Sequence, residues 1–162
     1  MESGKFHSKF LLLKHRILVV GKPALAYAKS GIDDYLRRLQ RMNQFGRCEF
    51  KIIKDGKAEE VSQRLLDAST GHYRIVLDER GITPTTRQLT ERITKLRDRP
   101  DVKGISYLIG PANGHLSNTR EAADLVLSLS SLVLQHELAT LLLAEQLYRV
   151  ASLQAGTPYH RD

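Results

Sequence analysis

Short apolar runs rich in β-branched residues alternate along the chain with longer stretches whose apolar positions recur every three or four residues. The first run, residues 16–20, reads Arg-Ile-Leu-Val-Val and is closed by Gly21, which predicts a buried strand. Pro23 opens a predicted helix to about Met42. Leu25, Ala28, Ile32, Tyr35, Leu36 and Leu39 form its apolar stripe, and Lys29, Arg37, Arg38 and Arg41 lie on the other face. Residues 48–53 alternate and predict a second strand, residues 58–68 a helix, and residues 73–77 a third strand that ends in Asp78-Glu79-Arg80-Gly81. A further helix starts at Pro84, with Leu89, Ile93 and Leu96 on one face. Residues 105–109 predict a fourth strand running into Gly110-Pro111-Ala112-Asn113-Gly114. Ser117 is placed to cap a short helix through Ala123. Residues 125–134, apolar and serine-rich, offer a place for a last strand. From His136 to about Leu153 the pattern predicts a helix that is apolar over much of its circumference, and so either deeply buried or packed at a subunit interface.

Strands alternating with helices predict an α/β fold with a mostly parallel sheet flanked by helices. The 162 residues fit one domain. Residues 1–15 are expected to be an N-terminal extension and residues 16–162 the domain itself. Charge adds a partner class. There are 25 Lys and Arg against 18 Asp and Glu, a formal charge of +7, which suits a polyanion without requiring one. The single cysteine, Cys48, excludes an internal disulfide framework and argues against a cysteine-based zinc site. Both points suit a reducing cytoplasm. No apolar run is long enough to span a bilayer, so no membrane partner is expected.

Ligands of open α/β sheets bind beyond the carboxyl ends of the strands. Two such ends here carry glycine, at Gly81 and at Gly110 and Gly114. Each is also compatible with an ordinary turn. Residues 110–114 lack the Lys-Ser/Thr ending of a phosphate loop, and Gly21 is not followed by the spaced glycines of a dinucleotide fingerprint. A neutral adenosine-like ligand held by backbone amides and apolar walls fits better. Glu145 and Arg149, at i and i+4 on the last helix, predict a structural ion pair. His136 and Glu145 do not have the spacing of a helical metal site, so no metal is expected. The terminal Tyr159-His160-Arg161 is either a frayed end or a set of groups able to stack on an unpaired base, move a proton and bind phosphate.

Several short segments occur together in a recognisable order. They are residues 17–22, Tyr35-Leu36-Arg37-Arg38, Leu77-Asp78-Glu79-Arg80-Gly81, Leu108-Ile109-Gly110 with Asn113-Gly114, and Leu127-Ser128-Leu129-Ser130. His136, residues 145–149 and Tyr159-His160-Arg161 complete the set. With them the chain, from about Arg16 to its end, resembles the bacterial RlmH family, knotted SPOUT-class enzymes that methylate N3 of a pseudouridine in large-subunit ribosomal RNA. The resemblance implies a C-terminal trefoil knot, a cytoplasmic homodimer, and an rRNA substrate within the assembled ribosome. It implies S-adenosylmethionine bound by Leu77, Gly81, Gly110, Gly114, Leu127, Ser128, Leu129, Ser130 and Leu132. It brings the tail near the methyl donor, with His160 as base or orienting group, Tyr159 for stacking and Arg161 for phosphate. Arg37, Arg38, Arg41 and His136 are the expected RNA contacts. Three positions depart from the family pattern: Pro111 replaces a second glycine, Thr140 an arginine and Gln135 a proline. Proline has no N–H and fixes φ, so a pocket needing either at residue 111 would suffer. The alternative reading is a non-catalytic ribosome- or RNA-binding relative; a flavodoxin-type nucleotide binder is a third.

Overall fold

The computed structural model describes residues 13–159. Five strands, β1 (Lys14–Val20), β2 (Arg47–Ile53), β3 (Tyr73–Ile82), β4 (Gly104–Ile109) and β5 (Leu125–Leu127), form one sheet in the order β2-β1-β4-β3-β5. Every pairing is parallel. Parallel strands need crossovers, and the chain supplies α1 (Ala26–Gln40), α2 (Ala58–Ala68), α3 (Thr86–Asp98) and α4 (Ser117–Glu121) between them, with α5 (His136–Ala155) last. The fold is thus the predicted one. Among the described residues, no helix is long and apolar enough to cross a membrane.

Alternation along the strands divides the core. Ile17, Val19, Ile75, Ile105, Tyr107 and Ile109 point to the face covered by α1, α3 and α5. Leu18, Val20, Val76 and Leu108 point to the opposite face, where Val61 and Leu65 of α2 meet them. The α5 side chains Leu143, Leu147 and Val150 are fully buried within this one subunit. The apolar circumference of α5 is therefore largely used inside the subunit, and Leu138 is its one large exposed apolar residue.

The domain starts earlier than expected. Leu13 and His15 are buried, and β1 begins at Lys14 rather than Arg16. The His15 ring stacks on Phe45 at 3.9 Å and hydrogen-bonds the Phe45 carbonyl and the Tyr107 hydroxyl, each at 3.0 Å. A histidine followed by a strand reads as polar leader in sequence, because its partners lie 30 and 92 residues away. The start of α3 is capped by Thr85 and Gln88 in a reciprocal box. Ser117, expected to cap α4, is instead its first residue; Leu116 is the N-cap and makes no side-chain bond.

Strand β3 also corrects an expectation. Residues 78–81 are not a loop but continue the strand, with a shift in its pairing to β5 between Leu77 and Ile82. A Cβ on Gly81 would lie 2.5 Å from the Val126 carbonyl, so this glycine allows close approach of two strands.

Candidate active site

The carboxyl ends of β3, β4 and β5 open on one edge of the sheet, and a cavity of about 580 Å³ lies there. That size is within the range of small-molecule sites. Leu77, Gly110, Gly114, Leu127, Ser128, Leu129, Ser130, Leu132 and His136 all line it. Gly81 does not, for the packing reason given above. The reading from sequence missed Asp78, Arg80, His115, Val133 and Gln135, which also line the cavity. Asp78 and Arg80 stood beside the marked glycine and were passed over. Val133 continues the apolar run from Leu125, so its segment was visible but its place was not.

Local chemistry shapes each wall. The Gly114 N–H donates to the Pro111 carbonyl at 2.8 Å, closing a turn in which Gly114 has φ +83° and Pro111 is the first residue. No non-glycine residue among those described has positive φ. Pro111 therefore meets no conformational demand it cannot satisfy, and its missing N–H leaves the turn intact. On the β5 side, the Ser128 N–H donates to the Ile82 carbonyl at 2.7 Å. The Ser128 hydroxyl donates to the Ser130 carbonyl at 2.7 Å, and the Ser130 hydroxyl accepts from Leu132 N–H at 3.0 Å. Both serine hydroxyls thus help to set the loop's own shape.

His115 sits beneath the loop that starts at Gly110, where a Cβ would come 3.2 Å from its ring. Its Nε2–H donates to the Leu108 carbonyl at 3.0 Å, which leaves Nδ1 a buried acceptor without a partner. Burial lowers the His115 pKa below its usual value, more than the Leu108 carbonyl raises it, so the ring is neutral at pH 7.

The third wall is the start of α5. The Gln135 side chain caps that helix by accepting from Glu137 N–H at 2.8 Å and Leu138 N–H at 3.0 Å. The proline usual here has no such side chain, so the departure at Gln135 is accommodated. Glu137 is buried, and its carboxylate accepts from the backbone N–H groups of Leu25, at 3.1 Å, and Ala24. Burial opposes that charge, but the two backbone donors together with Gln135 and His136 outweigh it and hold the carboxyl below its ordinary pKa. One side chain so joins the starts of α1 and α5. Nothing in the sequence signals it, because Leu25 and Glu137 are 112 residues apart. Thr140, which stands where the family pattern has an arginine, is 2% exposed and donates to the His136 carbonyl at 2.9 Å. Its place in the subunit is interior.

The tail and the arginine face lie elsewhere. The Tyr159 hydroxyl donates to Glu145 at 3.2 Å and stands 3.1 Å from the Tyr35 hydroxyl, while its ring meets Tyr148 edge-on at 4.6 Å. The Arg149 guanidinium lies 5.1 Å over the same ring and pairs with Glu145 at 2.7 Å, as the i and i+4 spacing predicted. Burial first, then the Tyr35 bond, pushes the Tyr159 phenol pKa well up. Arg38 pairs with Asp34 at 3.0 Å and lies over the rings of Tyr35 and Tyr148. Arg37 and Arg41 are exposed beside it, at the end of α1. His160 and Arg161 lie outside the described residues. Glu145 and Arg149 are 6 and 10 residues beyond Ala139, the last α5 residue lining the cavity, so the Tyr159 anchor sits roughly 9–15 Å along α5 from it. Among the described residues, no cluster of His, Cys, Asp or Glu is placed to hold a metal ion.

Comparisons with known proteins agree with this geometry. The family described as predicted SPOUT methyltransferase matches residues 13–160. The ribosomal RNA large subunit methyltransferase H of Thermus thermophilus is 43% identical over 149 residues, covering 92% of this chain and 99% of the relative. The protein of the same name from Deinococcus radiodurans is 35% identical over 152 residues, with 92% and 99% covered. Among solved structures, a probable methylase family protein from Haemophilus influenzae superposes with a TM-score of 0.58 at 11% identity, over 93% of this chain and 72% of that one. A probable methyltransferase from Bordetella pertussis gives 0.55 at 12%, over 92% and 99%. At such identities the structural likeness speaks for the fold.

Proposed function

Because this chain belongs to the SPOUT methyltransferase family, we propose that it is an S-adenosylmethionine-dependent methyltransferase acting on N3 of a pseudouridine in large-subunit ribosomal RNA. The observation that carries the proposal is the cavity at the ends of β3, β4 and β5. Its residues fit the cofactor. Leu77, Leu127 and Leu129 offer apolar walls for an adenine, and the turn at residues 111–114 offers backbone groups. The buried Nδ1 of His115 is an acceptor still in want of a donor. Among the described residues no lysine lines the cavity and Arg80 pairs with Asp78 at 3.3 Å, which suits an adenosine better than a polyphosphate.

When bound, S-adenosylmethionine supplies an electrophilic methyl group. The protein's own task is to align the target nitrogen and relieve it of its imide proton. We assign His160 to that proton and Arg161 to a phosphate of the RNA. Tyr159, docked on Tyr35, Glu145 and Tyr148, fixes where these two residues leave α5; any stacking on a base is secondary to that anchoring.

Because the Tyr159 anchor lies farther along α5 than the cavity, the reading includes a homodimer in which the tail of one copy reaches the cavity of the other. The surface for it is apolar. Leu132 and Val133 are 73% and 83% exposed on the cavity rim, and Leu25, Tyr27 and Leu138 are exposed where α1 and α5 begin. Patches of this kind mark interfaces. In this arrangement Arg37, Arg38 and Arg41 join the RNA side of the neighbouring site. The trefoil threading, the assembled ribosome as substrate and a cytoplasmic place of action belong to the same reading. Calorimetry with S-adenosylmethionine tests it: one site per chain is expected, and no binding by the purified full-length protein would contradict it.

A further inference from the structure

Resting on the reading of the cavity as a cofactor site, we infer that Arg120 is a positioning residue that sets the cavity's width by tying its β3 wall to its β4 wall. The backbone ladder between those strands ends at Leu77 and Ile109. Past that point the walls are Asp78 with Arg80 on one side and residues 110–115 on the other, and both line the cavity. Arg120 does not line it. From α4 its Nη1 donates to the His115 carbonyl at 2.7 Å and lies 3.7 Å from Asp78 Oδ2. A single guanidinium so reaches both walls.

Each attachment is itself held. The Asp78 side chain is 5% exposed, and its Oδ1 accepts from Arg80 N–H at 2.9 Å. His115 is pinned under Gly110 by its bond to Leu108. On the far side, α4 is fastened to α2 through Thr119 and Ser62, whose hydroxyls stand 2.6 Å apart, both buried. Arg120, three-quarters buried between these parts, has limited freedom to reach elsewhere. Charge-assisted bonds of this kind are shorter and stronger than neutral ones. A mobile bridge would let the turn at residues 111–114 drift from the leucine wall, and the loss would appear in cofactor affinity rather than in chemistry.

Arg120→Met, which keeps the aliphatic stem, is expected to weaken S-adenosylmethionine and S-adenosylhomocysteine by the same factor, about tenfold to a hundredfold, for loss of bonds to a charged group. The rate on ribosomes at saturating cofactor should stay within about twofold of the natural protein, and Arg120→Lys should restore most of the affinity. Amide exchange of the unliganded protein should rise at residues 78–80 and 110–115. Asp78→Asn, which preserves shape and removes the ion pair, is the second variant and should weaken both ligands in the same direction. Unchanged affinity in either folded variant would overturn the inference, as would a loss confined to the saturated rate. Failure of the natural protein to bind S-adenosylmethionine would instead overturn the reading of the cavity.

Discussion

The hydroxyl of Tyr159 donates to the carboxylate of Glu145 at 3.2 Å, tying the last described residue of the chain to the middle of its longest helix. Tyr159 is thus held by packing on α5 and α1. Tyr159→Phe removes the hydroxyl and keeps the ring on Tyr148, which costs roughly 1 kcal/mol of docking, or about fivefold in kcat/KM. Deleting residues 159–162 should abolish methyl transfer while leaving S-adenosylmethionine binding and the melting temperature close to those of the natural protein. Full activity of the shortened protein on assembled ribosomes would remove the tail from the mechanism.

His15 predicts how stability depends on pH. Desolvation in the core, only partly offset by the Phe45 carbonyl, lowers its pKa from 6.5 to about 4. The unfolded chain therefore binds a proton below pH 6.5 that the folded chain refuses until about pH 4. Stability from this residue is complete above pH 6.5 and falls between 6.5 and 4, by about 3 kcal/mol, at 1.4 kcal/mol for each pKa unit. Burial also lowers the pKa of His72 and His115, in the same direction. The readout is therefore the difference between the natural protein and His15→Gln, followed by denaturant melts from pH 7 to pH 4. Parallel pH curves for the two proteins would contradict the assignment.

Pro111 should be tolerated. It opens the turn closed by Gly114, where neither an N–H nor positive φ is required of it. Pro111→Gly should leave cofactor affinity within about tenfold, or ~1.4 kcal/mol. Calorimetry showing a much larger gain in the glycine variant would mark the natural pocket as impaired.

Strand and helix order were legible in the sequence because each element carries its own period. The expected helix over residues 58–68 matches α2, in which Val61 and Leu65 are buried and acidic residues occupy the first turn. The cavity was legible at Gly110 and Gly114 from their strand-end position, and at the leucines and serines from Leu127 on only through the family resemblance. What escaped notice depends on residues distant in sequence. His15 looked like leader because Phe45 and Tyr107 complete its environment. Gly81 looked like a ligand loop because Val126, which its missing Cβ admits, is 45 residues on. Glu137 carries no local signal of its role, because its partners are the amides of Ala24 and Leu25.

The exposed apolar residues on the cavity rim should carry the dimer. Leu132→Glu with Val133→Glu places two charges on side chains that are 73% and 83% exposed in the single subunit, so the subunit's own fold should be spared. Sedimentation equilibrium at micromolar concentration should show a dimer for the natural protein and a monomer for the double variant. A natural protein that sediments as a monomer would contradict the shared site.

The central claim concerns one methyl group on the large-subunit RNA. Mass spectrometry of nucleosides and mapped fragments from cells with and without the gene reads it directly. N3-methylpseudouridine should be present in the parent, absent from the deletion strain and restored when the gene is returned, whereas an unchanged modification in the deletion strain would contradict the account.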